Sequence, residues 1–240
     1  MLAATSDIGR ATVQLLQRND HTLFLTGRSE QDIVRFAEAQ GSSYAVLDLT
    51  DFGATENVFK LAADKLGGLD GVVNFAGSLQ LQAAHRTSRQ QYEDTVGSSL
   101  TTAFSAVRAA GQIMTKTGGS VVLISSAAAL CGLANHEAIA AAKAGVIGLT
   151  LSAAATYANR NLRFNAVAPG LTKTRATKLL TENSGSRRLS EAMHALGRLG
   201  EPEDIARAIA FLLAPANSWI TGQVIAVDGG LCCLHPRPKI

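Results

Sequence analysis

The segment SVVLIS (residues 120–125) is followed, after a short small-residue loop, by EAIAAAKAGVIGLTLSAAATYAN (residues 137–159). A brief β-branched run with no polar alternation reads as a strand buried on both faces, and the long Ala- and Leu-rich run after it reads as a helix. The same alternation extends outward in both directions. Strands are expected at residues 21–26, 43–47, 71–75, 162–168 and 223–227, and helices at 9–19, 30–40, 52–66, 88–115 and 202–213. Strands that alternate with helices imply a parallel sheet covered on both faces, an α/β doubly wound architecture. The last helix has a clear start, because Glu201-Pro202-Glu203-Asp204 puts proline and acids where a first turn accepts and favours them. Residues 172–200 break the rhythm and are long for a plain connection, which makes them a candidate lid; residues 232–240 form a tail.

At 240 residues the chain suits one domain, 1–240, with a core large enough to need no staples. Lys plus Arg is 22 and Asp plus Glu 19, a net charge of +3; with 17% charged and 47% apolar residues, disorder is excluded. The longest basic run is Arg187-Arg188, so nucleic acid is not an expected partner. Cys131, Cys232 and Cys233 have no metal-ligand spacing, and neither do His21, His85, His194 and His235, which read as surface residues. No metal is expected. Without a cationic, apolar leader or a membrane span, the chain reads as a cytoplasmic protein. One element is short. The turn-like segment from Ala4 to Gly9 begins three residues after Met1, so the first strand of the sheet is expected to be truncated or missing.

Several segments in order carry a resemblance: Ser6-Asp7-Ile8-Gly9-Arg10-Ala11, Asp48-Leu49-Thr50-Asp51, Asn74-Phe75-Ala76-Gly77, Ile124-Ser125-Ser126, Ala142-Lys143-Ala144-Gly145, Asn165-Ala166-Val167-Ala168-Pro169-Gly170, Gly197-Arg198-Leu199-Gly200-Glu201-Pro202 and Val227-Asp228-Gly229-Gly230. Together they resemble the short-chain dehydrogenase/reductase family, nearest to its 3-oxoacyl-[acyl-carrier-protein] reductase branch. The resemblance implies a Rossmann-type fold and a nucleotide held by Ser6, Ile8, Gly9, Arg28, Asp48, Leu49, Asn74, Ala76, Gly77, Lys143, Pro169, Gly170 and Thr174. Arg28 stands where the family reads the 2′-phosphate of NADP, and Gly27 where an acid would hold the ribose of NAD, so NADP is implied over NAD. Ala3 stands where the family's turn has its first glycine, and its methyl group restricts φ. The implied substrate is a small carbonyl or alcohol compound.

Family chemistry rests on a serine, a tyrosine, a lysine and an asparagine. The serine maps to Ser126 and the lysine to Lys143. The tyrosine position is Ile139 and the asparagine position is Ser99. Isoleucine has neither an ionisable proton nor a lone pair, so it cannot act as acid or base. His136 is the nearest alternative acid, and Tyr157 is too far along its helix to reach. Two readings stay open: an NADP(H)-dependent oxidoreductase with weak or unusual catalysis, or a silent, nucleotide-binding or structural subunit. The long helices at 88–115 and 137–159 resemble the family's dimer faces, which implies a homo-oligomer, dimer or tetramer, or a hetero-oligomer with an active family member.

Overall fold

The computed structural model describes residues 1–234 and 236; His235 and residues 237–240 of the tail lie outside the described residues. Strands β1 (Phe24–Gly27) and β2 (Ser43–Val46) pair in parallel. Strands β3 (Gly71–Asn74), β4 (Gly119–Ile124), β5 (Leu162–Pro169) and β6 (Val224–Val227) form a second parallel ladder in that order. Residues Met1–Ala4 join the two ladders. Leu2 bridges Asn74, its amide donating to Val73 O (2.8 Å) while its carbonyl accepts from Phe75 N (3.0 Å). On the other side the Met1 nitrogen donates to Phe24 O (2.8 Å), Met1 O accepts from Thr26 N (2.9 Å), and Ala4 N donates to Thr26 O (2.8 Å). Residues Met1–Ala4 thus occupy the centre of a doubly wound sheet.

Strand β1 begins at Phe24 rather than at residue 21, and His21 and Thr22 are exposed. A small apolar cavity of about 60 Å³ lies between Leu23, Phe24, Phe59, Leu66 and Val72.

Helices α1 (Asp7–Gln17), α2 (Glu30–Ala39) and α9 (Pro202–Leu213) cover one face of the sheet. Their buried Val13, Ile33, Phe36, Ile205, Ile209 and Leu212 pack on Leu25, Val73 and Val122. Helices α3 (Phe52–Leu66), α5 (Thr102–Ile113) and α6 (Glu137–Tyr157) cover the other, where Phe59, Val107, Met114, Val146 and Phe164 form the largest core cluster. Among the described residues only α6, with the turn that follows it to Arg160, is long and apolar enough to cross a membrane; it lies on β5 as a core helix.

Helix starts follow side-chain capping: Ser6, Ser29, Asp51 and Ser88 each accept a backbone N–H of the first turn. The expected helix at 88–115 is interrupted. Ser88 caps α4 (Arg89–Val96), a π-type turn occupies Gly97–Thr101, and α5 follows. Such bulges insert a residue into the ladder and commonly mark functional positions. The segment at 172–200 holds two short helices, α7 (Lys178–Glu182) and α8 (Ser184–Met193), neither with a buried residue.

Ala3, within the Met1–Ala4 segment, sits at φ 53°, where a β-carbon crowds the neighbouring carbonyl. Ala3→Gly should therefore stabilise the fold, by roughly 0.5–1 kcal/mol once glycine's extra backbone entropy is offset. Urea unfolding of the two proteins checks this; a less stable variant would mean the turn carries no strain.

Candidate active site at the carboxyl ends of the strands

Residues implied by the resemblance follow the carboxyl ends of β1 to β5, beside the start of α1. In a doubly wound sheet this crevice is where ligands bind. At α1 the Ser6 hydroxyl accepts the Gly9 amide at 3.1 Å. A β-carbon at Gly9 would lie 2.6 Å from Ala4 O, so only glycine permits this tight entry. The free amides of the first helical turn and the helix dipole leave this end partially positive.

Two guanidiniums reinforce it, and neither was legible beforehand. Arg10 Nε donates to Thr5 O at 3.0 Å, and Arg175 Nη2 donates to the same carbonyl. Arg175 also donates to Asp7 twice, from its backbone N to Oδ2 (2.6 Å) and from Nε to Oδ1 (2.9 Å). Burial, and next the Arg175 charge, hold the Arg10 guanidinium below its ordinary value. A contact across 168 positions leaves no signal in local sequence.

Arg28 is exposed at the end of β1. A β-carbon at Gly27 would meet Ile33 Cβ at 3.1 Å and Thr5 Cγ2 at 3.3 Å, which leaves little room for an acidic side chain. Asp48 Oδ1 accepts from Thr50 N (2.9 Å) and the Thr50 hydroxyl (2.7 Å); those two bonds, and then the Arg28 charge, hold its carboxyl below the ordinary value. The Leu49 side chain is buried in the main core cluster, so its backbone is the part left to meet a ligand. Asn74 is buried and caps the turn after β3, its Oδ1 accepting from Ala76 N at 2.9 Å.

The centre of the site lies between β4 and α6. Ser125 Oγ donates to Lys143 O at 2.9 Å, fastening α6 to the end of β4. Lys143 is 6% exposed and its Nζ donates to Ile124 O at 2.8 Å; burial pushes its ammonium down to about 8. Gly77 faces this amine, since a β-carbon there would stand 3.1 Å from Lys143 Nζ and 3.7 Å from Ser99 Oγ. Ser99, on the π-type turn, is buried, and its hydroxyl has no hydrogen-bond partner. An orphaned hydroxyl beside a buried amine marks a polar point that a ligand group or water would satisfy. Ser126 is half-buried and accepts from Ala128 N at 3.2 Å.

Ile139, one turn before Lys143, is 4% exposed. Among the described residues no tyrosine hydroxyl hydrogen-bonds to Ser126 or Lys143. Tyr157 stacks on Phe164 at 5.5 Å, and Tyr44 and Tyr92 are exposed. His136 precedes α6, its Nδ1 2.7 Å from Ala134 O. A carbonyl only accepts, so Nδ1 carries the proton and Nε2 of the neutral ring has none to give.

Pro169 ends β5, and Gly170 N donates to Val227 O at 3.1 Å. Thr174 caps the single turn Arg175–Thr177. His194, expected on the surface, is instead 4% exposed. Its Nδ1 meets Ser190 O at 2.6 Å and its Nε2 accepts from Leu171 N at 3.3 Å, so a neutral ring supports the Pro169-Gly170 turn from beneath. No group of His, Cys, Asp and Glu able to hold a metal occurs among the described residues.

Residues 2–232 match the family model described as "Enoyl-(Acyl carrier protein) reductase". Among curated relatives, the 3-oxoacyl-[acyl-carrier-protein] reductase FabG of Vibrio harveyi is 34% identical over 231 residues, covering 95% of this chain and 94% of its own. A solved short-chain type dehydrogenase/reductase from Mycobacterium ulcerans superposes with a TM-score of 0.93 at 27% identity, over 96% of this chain and 88% of its own. ElxO with NADP bound superposes with a TM-score of 0.89 at 28% identity, over 96% of both chains. With the crevice, the helix start and the strand order all in place, the chain belongs to the short-chain dehydrogenase/reductase family.

Proposed function

We propose that the protein is a cytoplasmic NADP(H)-binding member of this family, descended from reductases of 3-oxoacyl-like carbonyl or alcohol substrates, in which nucleotide binding is kept and catalysis is impaired or lost. The observation that carries this reading is the buried Ile139 one turn before Lys143, with no phenol near either Lys143 or Ser126.

Binding and chemistry ask different things of the site. The partially positive start of α1, with Arg10 and Arg175 over the Thr5 carbonyl, suits a pyrophosphate. Arg28 suits a 2′-phosphate, and Asp48 an adenine amino group. The orphaned Ser99 hydroxyl and the Lys143 amine beside Gly77 suit hydroxyl or amide groups of the nicotinamide half. None of these roles moves a proton. NADPH, when bound, supplies a hydride. Against a substrate carbonyl oxygen Ser126 would donate one hydrogen bond, but no side chain here would deliver the proton that its reduction requires. General acid catalysis is worth typically ~10²–10⁴ in rate, which sets the scale of the loss. We take residues 172–200 as the lid over a small-molecule substrate.

A second reading, a structural subunit of a homo-oligomer or of a mixed oligomer with an active relative, draws support from Phe104 and Leu151, which stand half exposed on α5 and α6. Co-expression with an active family reductase, followed by mass measurement of the purified assembly, discriminates: only this reading expects a mixed species.

Three outcomes are expected. Purified protein with NADPH and acetoacetyl substrates turns over no faster than background, and Ile139→Tyr recovers rate only when combined with Ser99→Asn. Strong turnover of the unmodified protein that disappears in His136→Ala would instead make His136 the acid. In titrations followed by fluorescence, Arg28→Ala weakens NADPH by roughly 10- to 100-fold, the scale of a charged hydrogen bond, and leaves NADH unchanged; an equal effect on both would dissociate Arg28 from the 2′-phosphate.

The third concerns Lys143. Its ammonium sits near 8 when folded against about 10.5 ordinarily, so between those values the unfolded chain holds a proton the folded chain has released. Stability must then rise with pH across that window, by up to roughly 3 kcal/mol. Urea unfolding from pH 7.5 to 10.5 should show this rise in the natural protein and its absence in Lys143→Met. Parallel curves would mean that the amine is not desolvated.

A further inference from the structure

Cys131 and Cys232 stand 101 positions apart, yet their sulfurs lie 2.9 Å from each other. Both thiols also reach the Ala127 carbonyl, Cys131 Sγ at 3.5 Å and Cys232 Sγ at 3.4 Å. Each is held by its own backbone. Cys131 N donates to Ala127 O (3.0 Å) at the end of the single turn Ala127–Ala129 that follows Ser126. Cys232 N donates to Asp228 Oδ2 (2.9 Å), and the other carboxylate oxygen takes Gly230 N (2.9 Å). Two half-buried cysteines on separately fixed turns have been brought together without being bonded, while Cys233 points to solvent. The vicinal pair Cys232-Cys233 is therefore not the one the fold prepares.

We propose that Cys131 and Cys232 form a reversible disulfide when the protein meets a low-molecular-weight disulfide such as oxidised glutathione, tying the C-terminal segment to the loop between Ser126 and α6. The sulfurs need to approach by less than about 1 Å to reach bonding distance near 2.05 Å, a change that side-chain rotation supplies. Cys131 is the first nucleophile. Burial, the hydrogen bond with Cys131 and the Asp228 carboxylate all push the Cys232 thiol up, so it stays protonated at neutral pH. The Cys131 thiolate attacks one sulfur of the glutathione disulfide, a new S–S bond forms, and one glutathione thiolate leaves. Cys232 then yields its proton to the departed glutathione thiolate and attacks the Cys131 sulfur, expelling the second glutathione. Two protein thiols are oxidised by two electrons, and one glutathione disulfide is reduced to two thiols. This inference stands apart from the proposed function, since it needs neither a bound nucleotide nor catalysis.

The test uses the full-length chain carrying Cys233→Ser, reduced, then incubated with oxidised glutathione. Intact mass should fall by about two mass units with no retained glutathione, and peptide mapping should join the Cys131 and Cys232 peptides. Closing so long a loop should raise Tm by roughly 5–10 °C, reversibly with dithiothreitol. Adding Cys131→Ser to this chain should abolish the crosslink and the shift, leaving a mixed disulfide at most. Stable glutathione adducts at either cysteine without a crosslink, a disulfide only between chains, or an unchanged Tm shift in the Cys131→Ser protein would each overturn the proposal.

Discussion

The five backbone hydrogen bonds made by Met1, Leu2 and Ala4 hold the molecule together at its centre. They tie β1 to β3 across what would otherwise be two separate ladders, and they fix the point from which α1 departs. The turn that follows inherits the geometry. Ala3 is driven to positive φ, and the Ala4 carbonyl presses on Gly9 so closely that no β-carbon fits. The part of the fold that presents backbone amides to an anion is therefore also the part with the least margin in its backbone.

At the other end of the crevice the constraint is polar rather than conformational. A lysine with 6% exposure loses most of its hydration, and a single carbonyl, Ile124 O, replaces it. The buried Ile139 presents apolar surface one turn away, which adds to that desolvation. The Ser99 hydroxyl, unpartnered on a π-type turn, is the natural counterpart of the under-solvated amine. An arrangement of this kind suits gripping a polar ligand, because both groups have hydrogen-bond capacity left to satisfy.

Legibility in the sequence followed the range of the interactions involved. Helix α3 was read at its observed bounds, and the structure gives it local signals at both ends, an Asp51 cap and a left-handed Gly67; α9 was legible because Pro202 and its flanking acids define a first turn. Ser126, Lys143, Asn74 and Gly77 could be placed from ordered short motifs, and the structure brings Lys143, Gly77 and Ser99 together. What stayed hidden was non-local. A lone histidine gives no sign that α8 will fold it under Leu171, and Arg175 gives none that it will clamp Asp7. The π-type turn was missed because Gly97-Ser98-Ser99 reads as merely weak helix, and the Cys131–Cys232 encounter because it depends on where β6 delivers the tail.

The segment at 172–200 brings these threads together. Its two ends are pinned to one another: Thr172 bridges Gly200, Lys173 N donates to Gly200 O at 2.9 Å, and Gly200 N donates to Leu171 O at 3.0 Å. Between these pins α7 and α8 bury nothing, and Leu179 stands 91% exposed. Thr172, His194 and Leu199 anchor the segment in the core, while α7 and α8 themselves bury no residue and can shift without disturbing the sheet. What holds it against α1 is chiefly Arg175, through Asp7 and the Thr5 carbonyl, and an exposed ion pair of this kind contributes only about 0–1 kcal/mol. An anion arriving at the start of α1 would compete with Asp7 for the same guanidinium. In the reading proposed for this site, nucleotide binding and lid position are thus coupled through one arginine, and the weakness of its present bond is what makes the exchange inexpensive.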